Sequence, residues 1–198
     1  MPFCLSALTA TPRLALLAIA MVTLTACGAS TGMSVSSRGQ DASATVEAPS
    51  AEEAQQNLAY AVATAKSMRA RGQRVWCVPF ARNASGIDIR GNAKEWWGKA
   101  KGIYGRGHEP QVGAVMAFSA TRKNPLGHVA VVSDVVSERE IKIDHANWSR
   151  NKVSLGMTVV DVSTKGDWSA VRVESTPGAM GRVYPITGFI YAGAGSEG

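Results

Sequence analysis

The sequence predicts an α+β fold in which N-terminal helices pack on a mostly antiparallel β-sheet. Two observations lead to this prediction. Three helix-like segments lie between residues 50 and 101, and short β-branched runs bounded by Gly, Pro, Asn or Asp follow Pro110. Helices first and strands afterwards are typical of α+β domains, whereas regular alternation of the two would indicate a parallel sheet.

The first helix is defined by a capping signal at its start. Ser50 and Glu53 have the spacing of a capping box, in which each side chain accepts a backbone N–H from the other residue. Sequence rich in Ala, Leu and Met continues to Met68, and Gly72 follows. Because glycine readily takes the left-handed conformation that ends helices, we expect the helix to stop there.

A second, shorter helix is expected to begin at Cys77. Pro79 lacks an N–H and has a fixed φ, so it fits the first turn of a helix and no later turn. Gly86 is expected to end this helix. A third short helix is expected over residues 92–101, which contain two consecutive tryptophans.

Six short strands are expected after Pro110. They are rich in β-branched residues and are bounded by turn residues. The expected ranges are 112–118, 127–136, 140–148, 158–162, 170–174 and 189–192. A tight turn near residues 137–139 should join the second and third strands into an antiparallel hairpin, which places residues at about 146–148 opposite His128.

The N-terminal residues resemble the signal of a bacterial lipoprotein. Arg13 precedes an uncharged apolar run, residues 14–25, which has the length of a signal-peptide core and is too short to span a bilayer. Small residues then lead to Cys27, as in a lipobox. Residues 1–26 would be removed, and acyl chains such as palmitate on Cys27 would anchor the protein. An ordinary secretory signal or an uncleaved anchor helix is the alternative.

The domain organisation follows from this signal. Residues 27–50 are rich in Ser, Ala, Gly and Thr, and we expect the lipidated Cys27 and a flexible tether there. Residues 51–198 are expected to form a single catalytic domain. The chain carries 21 Lys and Arg against 15 Asp and Glu, a net charge of +6. This basic excess suits an anionic envelope polymer, and plain solubility explains it at least as well. No basic stripe with interleaved aromatics indicates nucleic-acid binding.

Cys77 is the candidate nucleophile. Of the three cysteines, Cys4 lies in the segment expected to be removed and Cys27 at the lipid site, so Cys77 has no disulfide partner. A thiol attacks a carbonyl as the thiolate, which the dipole at a helix start favours. The same helix start offers free N–H groups to an oxyanion. A buried structural cysteine is the alternative.

His128 is the candidate general base. It follows Gly127 and precedes an apolar run, so it stands at the mouth of a buried strand. Strand alternation places His145 and Asn147 on one face of the next strand and Asp144 on the other. Either His145 or Asn147 would then accept the Nδ1–H of His128 and fix its tautomer. A cysteine followed by such a histidine and a polar residue is the arrangement of papain-type thiol hydrolases.

Taken together, these motifs resemble a CHAP domain, a cysteine, histidine-dependent amidohydrolase/peptidase. The resemblance covers about residues 70–193 and implies a papain-like fold with Cys77 as nucleophile and His128 as general base. The motifs that carry it are Cys77 with Val78, Phe80 and Arg82, Gly91-Asn92-Ala93 with Trp96-Trp97, Pro110 with Gly113-Ala114-Val115 and Phe118, Gly127-His128-Val129-Ala130, and Ile143 to Trp148.

The third catalytic position departs from the family pattern. Many members have Glu-x-Asn-Trp there, whereas this chain has His145-Ala146-Asn147-Trp148. His145 therefore occupies the place of the acidic residue, and Asn147 is retained. We expect His145 to orient His128, with Asn147 as the second candidate.

The resemblance also implies an activity. Family members mostly hydrolyse amide bonds of peptidoglycan, as endopeptidases of stems or cross-bridges or as N-acetylmuramoyl-L-alanine amidases. We expect a thiol mechanism with an acyl-enzyme intermediate and no metal or other cofactor. The expected location is the periplasmic face of the bacterial envelope, anchored by lipid in the outer membrane, with peptidoglycan as partner and an envelope protein as a further candidate partner.

Other functions are compatible with the same residues. The domain could bind the cell wall or an envelope protein without cutting it, or it could hydrolyse a small glutathione-like or polyamine amide. Cys77, His128 and His145 could also be three ligands of a catalytic zinc ion, although no short ligand-spacing motif is present.

The tryptophans are candidate substrate-binding residues. Sugar and peptide faces stack on exposed aromatic rings, so we expect a groove lined by Trp76, Trp96, Trp97 and Trp148. For the consecutive pair Trp96 and Trp97, packing against the core is the stronger alternative.

Overall fold

The computed structural model describes residues 48–193. The predicted signal segment 1–26, the lipid site Cys27 and most of the predicted tether lie outside the described residues. Within the described range, no helix is both long and apolar enough to cross a membrane.

In the described residues, three α-helices and one 3-10 helix precede the sheet. They are α1 (Ala51–Ala70), α2 (Cys77–Ser85), the 3-10 helix (Ala93–Glu95) and α3 (Trp96–Ala100). The predicted capping box is confirmed, since Ser50 N donates to Glu53 Oε2 at 2.8 Å and Glu53 N donates to Ser50 Oγ at 3.3 Å. α2 begins at Cys77 as predicted and ends at Ser85, followed by the predicted Gly86 as C-cap with a φ of +75°. The third predicted helix is in fact the 3-10 helix followed by α3.

The described residues form seven β-strands. These are β1 (Gly105–Gly107), β2 (Val115–Phe118), β3 (His128–Ser137), β4 (Glu140–Ala146), β5 (Val153–Asp161), β6 (Ala170–Thr176) and β7 (Ala179–Tyr191). Their order in the sheet is β1-β7-β2-β3-β4-β5-β6, and β6 also pairs with β7. All these pairings are antiparallel, and the pairing of β6 with β7 closes the sheet into a barrel. The α+β prediction is therefore confirmed.

The last strand differs most from its prediction. β7 begins at Ala179 rather than at 189. It includes Pro185, and because proline has no N–H to donate to a neighbouring strand, its presence argues against a strand in the sequence. Its first part pairs with β6 and its last part with β2 and β1, so one strand spans two sets of neighbours. β1 was not predicted, because three residues with two glycines carry no strand signal.

Two hydrophobic clusters lie on opposite faces of the sheet. One joins α1, α2 and α3 to outward-facing strand residues such as Val115, Val129 and Val131. The other fills the barrel with alternating residues of the same strands, including Met116, Ala130 and others. This alternation follows from the two-residue period of a strand. It places His128, at the start of β3, on the barrel side, while the N-terminus of α2 packs against the outside.

Candidate active site

A pocket of about 660 Å³ opens where α2 and β3 both begin. Cys77, His128, Asn147 and Trp148 all line it. These residues come from a helix start, a strand start and the turn after β4, which are distant in sequence. The antiparallel pairing of β3 and β4 brings the start of β3 close to the turn after β4, because Val131 pairs with Asp144 and Val132 with Ile143. This register agrees with the predicted hairpin.

Cys77 is the first residue of α2 and is half-buried. Trp76 caps the helix from an extended conformation and provides no side-chain hydrogen bond. Burial raises the pKa of the Cys77 thiol, and backbone hydrogen bonds from Val129, Val78 and Cys77 itself act in the opposite direction. The thiol therefore stays protonated in the resting site, and burial opposes the helix-start effect expected from the sequence.

His128 is held at the pocket by the backbone on either side of it. Gly127 precedes it with a φ of +70°, and His128 pairs with Phe118 of β2. Its side chain is almost fully buried, with 5% of the residue exposed. Burial, and to a smaller extent the neighbouring His145, lower the pKa of His128 well below its ordinary value of 6.5. The imidazole is therefore neutral and available as a base at neutral pH.

The imidazole of His128 contacts His145. Nε2 of His128 lies 3.1 Å from Nδ1 of His145, within hydrogen-bonding distance. The sequence-based expectation that Nδ1 of His128 makes this contact was wrong. The ring enters the site from the start of β3, and this orientation turns Nε2 toward β4.

His145 is completely buried among aromatic rings. Its ring stacks on Trp148 with centroids 5.4 Å apart and an interplanar angle of 25°. Phe118 and Tyr184 complete the cluster around Trp148. Burial lowers the pKa of His145 to about 4, so His145 is also neutral at neutral pH. Its Nε2 atom is buried and has no hydrogen-bond partner within the described residues.

The other candidates for the third position lie elsewhere or make other contacts. Asp144 points to the opposite face, where its Oδ1 accepts the N–H of Gly156 at 2.7 Å. Asn147 takes a left-handed conformation with φ of 63°, and its Oδ1 accepts the N–H of Asn151 at 2.9 Å. Asn147 thus shapes the turn after β4, whereas His145 contacts His128.

The predicted tryptophan groove is corrected in part. Trp76 and Trp148 line the pocket as expected. Trp96 does not, because it is fully buried in the core beneath the helices. Trp97 also packs against that core and contacts Arg106 and His108 away from the pocket. The sequence shows two adjacent tryptophans on a short helix but not which side of the helix meets the sheet.

Several pocket residues were missed by the sequence analysis. Arg182 and Tyr184 line the pocket from β7, and Asn92 and Asn124 line it from loops. Arg182 and Tyr184 lie in the part of β7 that was not predicted as strand, so no pattern linked them to Cys77. In residues 48–193, no group of three His, Cys, Asp or Glu side chains is arranged to hold a metal ion.

Comparison with known families supports a CHAP domain at this site. A family model of the CHAP domain matches residues 68–147, which include Cys77, His128 and His145. Among curated proteins, no match to the chain was found. The match covers less than half of the chain and ends before β5, so the resemblance expected up to residue 193 is supported only as far as residue 147. CHAP domains are typically hydrolases related to peptidoglycan, and this supports a hydrolase at that coarse level.

Proposed function

We propose that this protein is a cysteine-dependent hydrolase of peptidoglycan amide bonds. The observation that carries the proposal is the placement of Cys77, at the start of α2, in one pocket with His128, whose imidazole is hydrogen-bonded to the buried His145 behind it. A nucleophile, a base and a group that orients the base are the three parts of a thiol-hydrolase site. Helices on the outside of an antiparallel barrel are compatible with a papain-like arrangement, which belongs to the same proposal.

The first half of the reaction forms an acyl-enzyme. Nδ1 of His128 accepts the thiol proton of Cys77 as the sulfur attacks the scissile carbonyl carbon. The carbonyl oxygen becomes an oxyanion, which the backbone N–H groups at the start of α2 stabilise. His128 then gives its proton to the leaving nitrogen, the C–N bond breaks, and the acyl group remains on sulfur as a thioester.

The second half releases the acyl group. Water attacks the thioester carbonyl while His128 accepts one of its protons, and the C–S bond breaks. The proton returns from His128 to the departing sulfur, so Cys77 is again a thiol and the second product is a carboxylic acid. Neither histidine begins with a charge, since burial lowers the pKa of both. Proton transfer is therefore coupled to attack in this site, rather than completed before the substrate binds.

The setting of the enzyme is part of the proposal. Cys27 is proposed to carry lipid and to anchor the chain at the periplasmic face of the outer membrane, after removal of residues 1–26. Residues 27–50 would then be the tether and residues 51–198 the catalytic domain, which reaches the wall from the membrane. The proposal includes both endopeptidase and N-acetylmuramoyl-L-alanine amidase activity, which differ in the bond that is cut.

The test is a digestion of purified peptidoglycan with the full-length chain in mild detergent, read by mass spectrometry. The wild type and a Cys27→Ala control should release the same fragments, and Cys77→Ala should release none while keeping the wild-type thermal transition. Free peptide stems would identify an amidase, and split stems or cross-bridges an endopeptidase. Fragment release by folded Cys77→Ala, or no release by the wild type despite equal wall binding by both, would overturn the proposal in favour of a binding module.

A further inference from the structure

The wall of the active-site pocket carries a positive charge and no negative one. Arg182 is the only Lys, Arg, Asp or Glu among the described residues that line it. The other polar side chains that line it carry no formal charge: the three asparagine amides, the Tyr184 hydroxyl, the Cys77 thiol, two tryptophan indoles and the neutral imidazole of His128. In a partly enclosed cleft, a single uncompensated charge dominates the local potential and favours a ligand of opposite sign.

The guanidinium of Arg182 is held at the pocket without an anionic partner. Its Cζ atom lies 4.8 Å from the ring centroid of Tyr184, which also lines the pocket. No carboxylate in residues 48–193 forms an ion pair with Arg182, whereas Arg82 pairs with Asp88 and Arg139 with Asp161. A cation–π contact fixes the plane of a guanidinium but leaves its N–H donors free for another acceptor.

A second guanidinium adds to the positive potential at the pocket. Arg74 lies over the ring of Trp76, with Cζ 4.0 Å from the centroid, and Trp76 lines the pocket. An arginine guanidinium therefore lies over each of two pocket rings, those of Trp76 and Tyr184. The Glu95 carboxylate behind the pocket residue Asn92 is itself paired with Lys99 at 2.7 Å. The two arginines are therefore not offset by it, and charges of the same sign beside a cleft add to its field.

We propose that Arg182 is a specificity-determining residue, which binds a substrate carboxylate close to the amide that Cys77 attacks. The planar fork of a guanidinium matches a carboxylate with two parallel N–H···O bonds, which is stronger and more directional than contact with a neutral amide. The substrate class is a peptide with a free carboxylate near its scissile amide, in preference to the same peptide with a carboxamide there. This inference rests on the proposed hydrolase function.

The test compares two soluble stem-type peptides that differ only in a carboxylate or a carboxamide beside the scissile amide. For the wild type, kcat/KM should be roughly tenfold higher with the carboxylate, the low end expected for a charged hydrogen bond at a partly exposed site. Arg182→Gln should abolish the preference by raising KM for the carboxylate peptide, and Arg182→Lys should keep part of it. The preference of the wild type should also weaken as salt is added.

Arg172 supplies the matched control. It lies on β6 beside the same strand, is exposed, and donates to the carbonyl of Gly181 rather than lining the pocket. Arg172→Gln should leave the carboxylate preference at its wild-type value. An equal preference in wild type and Arg182→Gln, or the same loss in Arg172→Gln, would overturn the inference.

Binding measurements on inactive variants distinguish a failure of this inference from a failure of the hydrolase proposal. The affinities of both peptides for Cys77→Ala and for Cys77→Ala with Arg182→Gln can be measured by calorimetry, without any turnover. Tighter binding of the carboxylate peptide that depends on Arg182 supports the inference even if the wild type cuts neither peptide. Equal binding of the two peptides overturns it, even if the wild type cuts both.

Discussion

Nε2 of His128 lies 3.1 Å from Nδ1 of His145, so two imidazoles share one hydrogen bond inside the protein. A carboxylate in the place of His145 could only accept this bond, whereas an imidazole can donate or accept. For His128 to take a proton at Nδ1, its Nε2 must carry hydrogen and donate to Nδ1 of His145. The proton of neutral His145 is then on its own Nε2, the buried atom without a partner in the described residues.

The pair of histidines is therefore electrostatically less favourable than a pair of histidine and carboxylate would be. A buried N–H without an acceptor is unfavourable, and a neutral imidazole stabilises an adjacent imidazolium less than a carboxylate does. The second effect keeps His128 neutral until the thiol proton arrives. A site of this kind remains uncharged through a wide range of pH.

His145 is predicted to matter more for turnover than its neighbour Asp144. His145→Ala should lower kcat by about 10²-fold or more, because His128 loses the contact that fixes its tautomer. Asp144→Asn should change kcat little, since the amide oxygen still accepts the N–H of Gly156 on the other face of the strand. Steady-state kinetics of both variants, with thermal melts to verify folding, make the comparison. The reverse ranking would show that Asp144 faces the site in the active enzyme.

The pH dependence of activity should report the depressed pKa of His128. Because burial lowers this pKa well below 6.5, His128 stays a neutral base and kcat/KM should remain on its plateau at pH 6.5, with the acid limb at lower pH. His145→Glu should shift the acid limb upward, because a nearby carboxylate favours the imidazolium and raises the pKa of His128. His145→Gln, a neutral orienter, is the control and should not produce this upward shift. An acid limb near pH 6.5 in the wild type would contradict the assignment.

The fold should lose stability in mild acid because the buried His145 becomes protonated when the chain unfolds. The pKa of His145 is about 4 when folded and 6.5 ordinarily, so between these values the unfolded chain binds more protons. The contribution of His145 to the free energy of unfolding is fully present above pH 6.5 and is lost as the pH falls through 4. For this residue alone the loss is about 3 kcal/mol. Denaturant unfolding at several pH values should show a shallower dependence in His145→Gln than in the wild type.

Asp144 also contributes to this stability measurement. The raised pKa of Asp144 contributes with the opposite sign, since the folded form then binds the extra proton, and this contribution is common to the variant and the wild type. If His145→Gln and the wild type lose stability in parallel, burial of neutral His145 is not the cause.

Local signals predicted the parts of the fold that depend on neighbours in sequence. The capping box at Ser50 and the pair of Pro79 and Gly86 specify α1 and α2, because caps and turns are formed by residues a few positions apart. Strand alternation likewise separated His145 from Asp144. These signals placed Cys77 at a helix start and His128 at a strand start, which is most of the candidate site.

What the sequence did not predict depends on contacts between distant elements. Pro185 lies inside β7, where pairing with Ala170 of β6 overrides its weak strand preference, and Arg182 enters the pocket through that strand. The burial of Trp96 depends on which side of α3 meets the sheet. The nitrogen of His128 that meets His145 depends on the orientation of one ring, which no periodicity in the sequence encodes.

Gly127 is predicted to be essential for placing His128, although it has no side chain of its own. Its φ is +70°, and a Cβ atom there would lie 2.9 Å from the backbone N of Lys94 and 3.0 Å from the carbonyl oxygen of Phe118. Lys94 N already donates to the carbonyl of Leu126 at 2.9 Å, so the backbone has little freedom to retreat. Gly127→Ala should therefore destabilise the fold by about 2 kcal/mol or more, from conformational strain and overpacking together.

The same substitution should also lower activity. His128 follows directly, and a displacement of about 1 Å at a catalytic base costs up to roughly 10²-fold in rate. Gly98→Ala is the matched control, because Gly98 lies in α3 where an added Cβ would meet nothing within 4 Å, and alanine favours helix by about 1 kcal/mol. Thermal melts and kcat of the two variants test this directly. If Gly127→Ala melts and turns over like Gly98→Ala, the backbone around Gly127 is not what holds His128 in place.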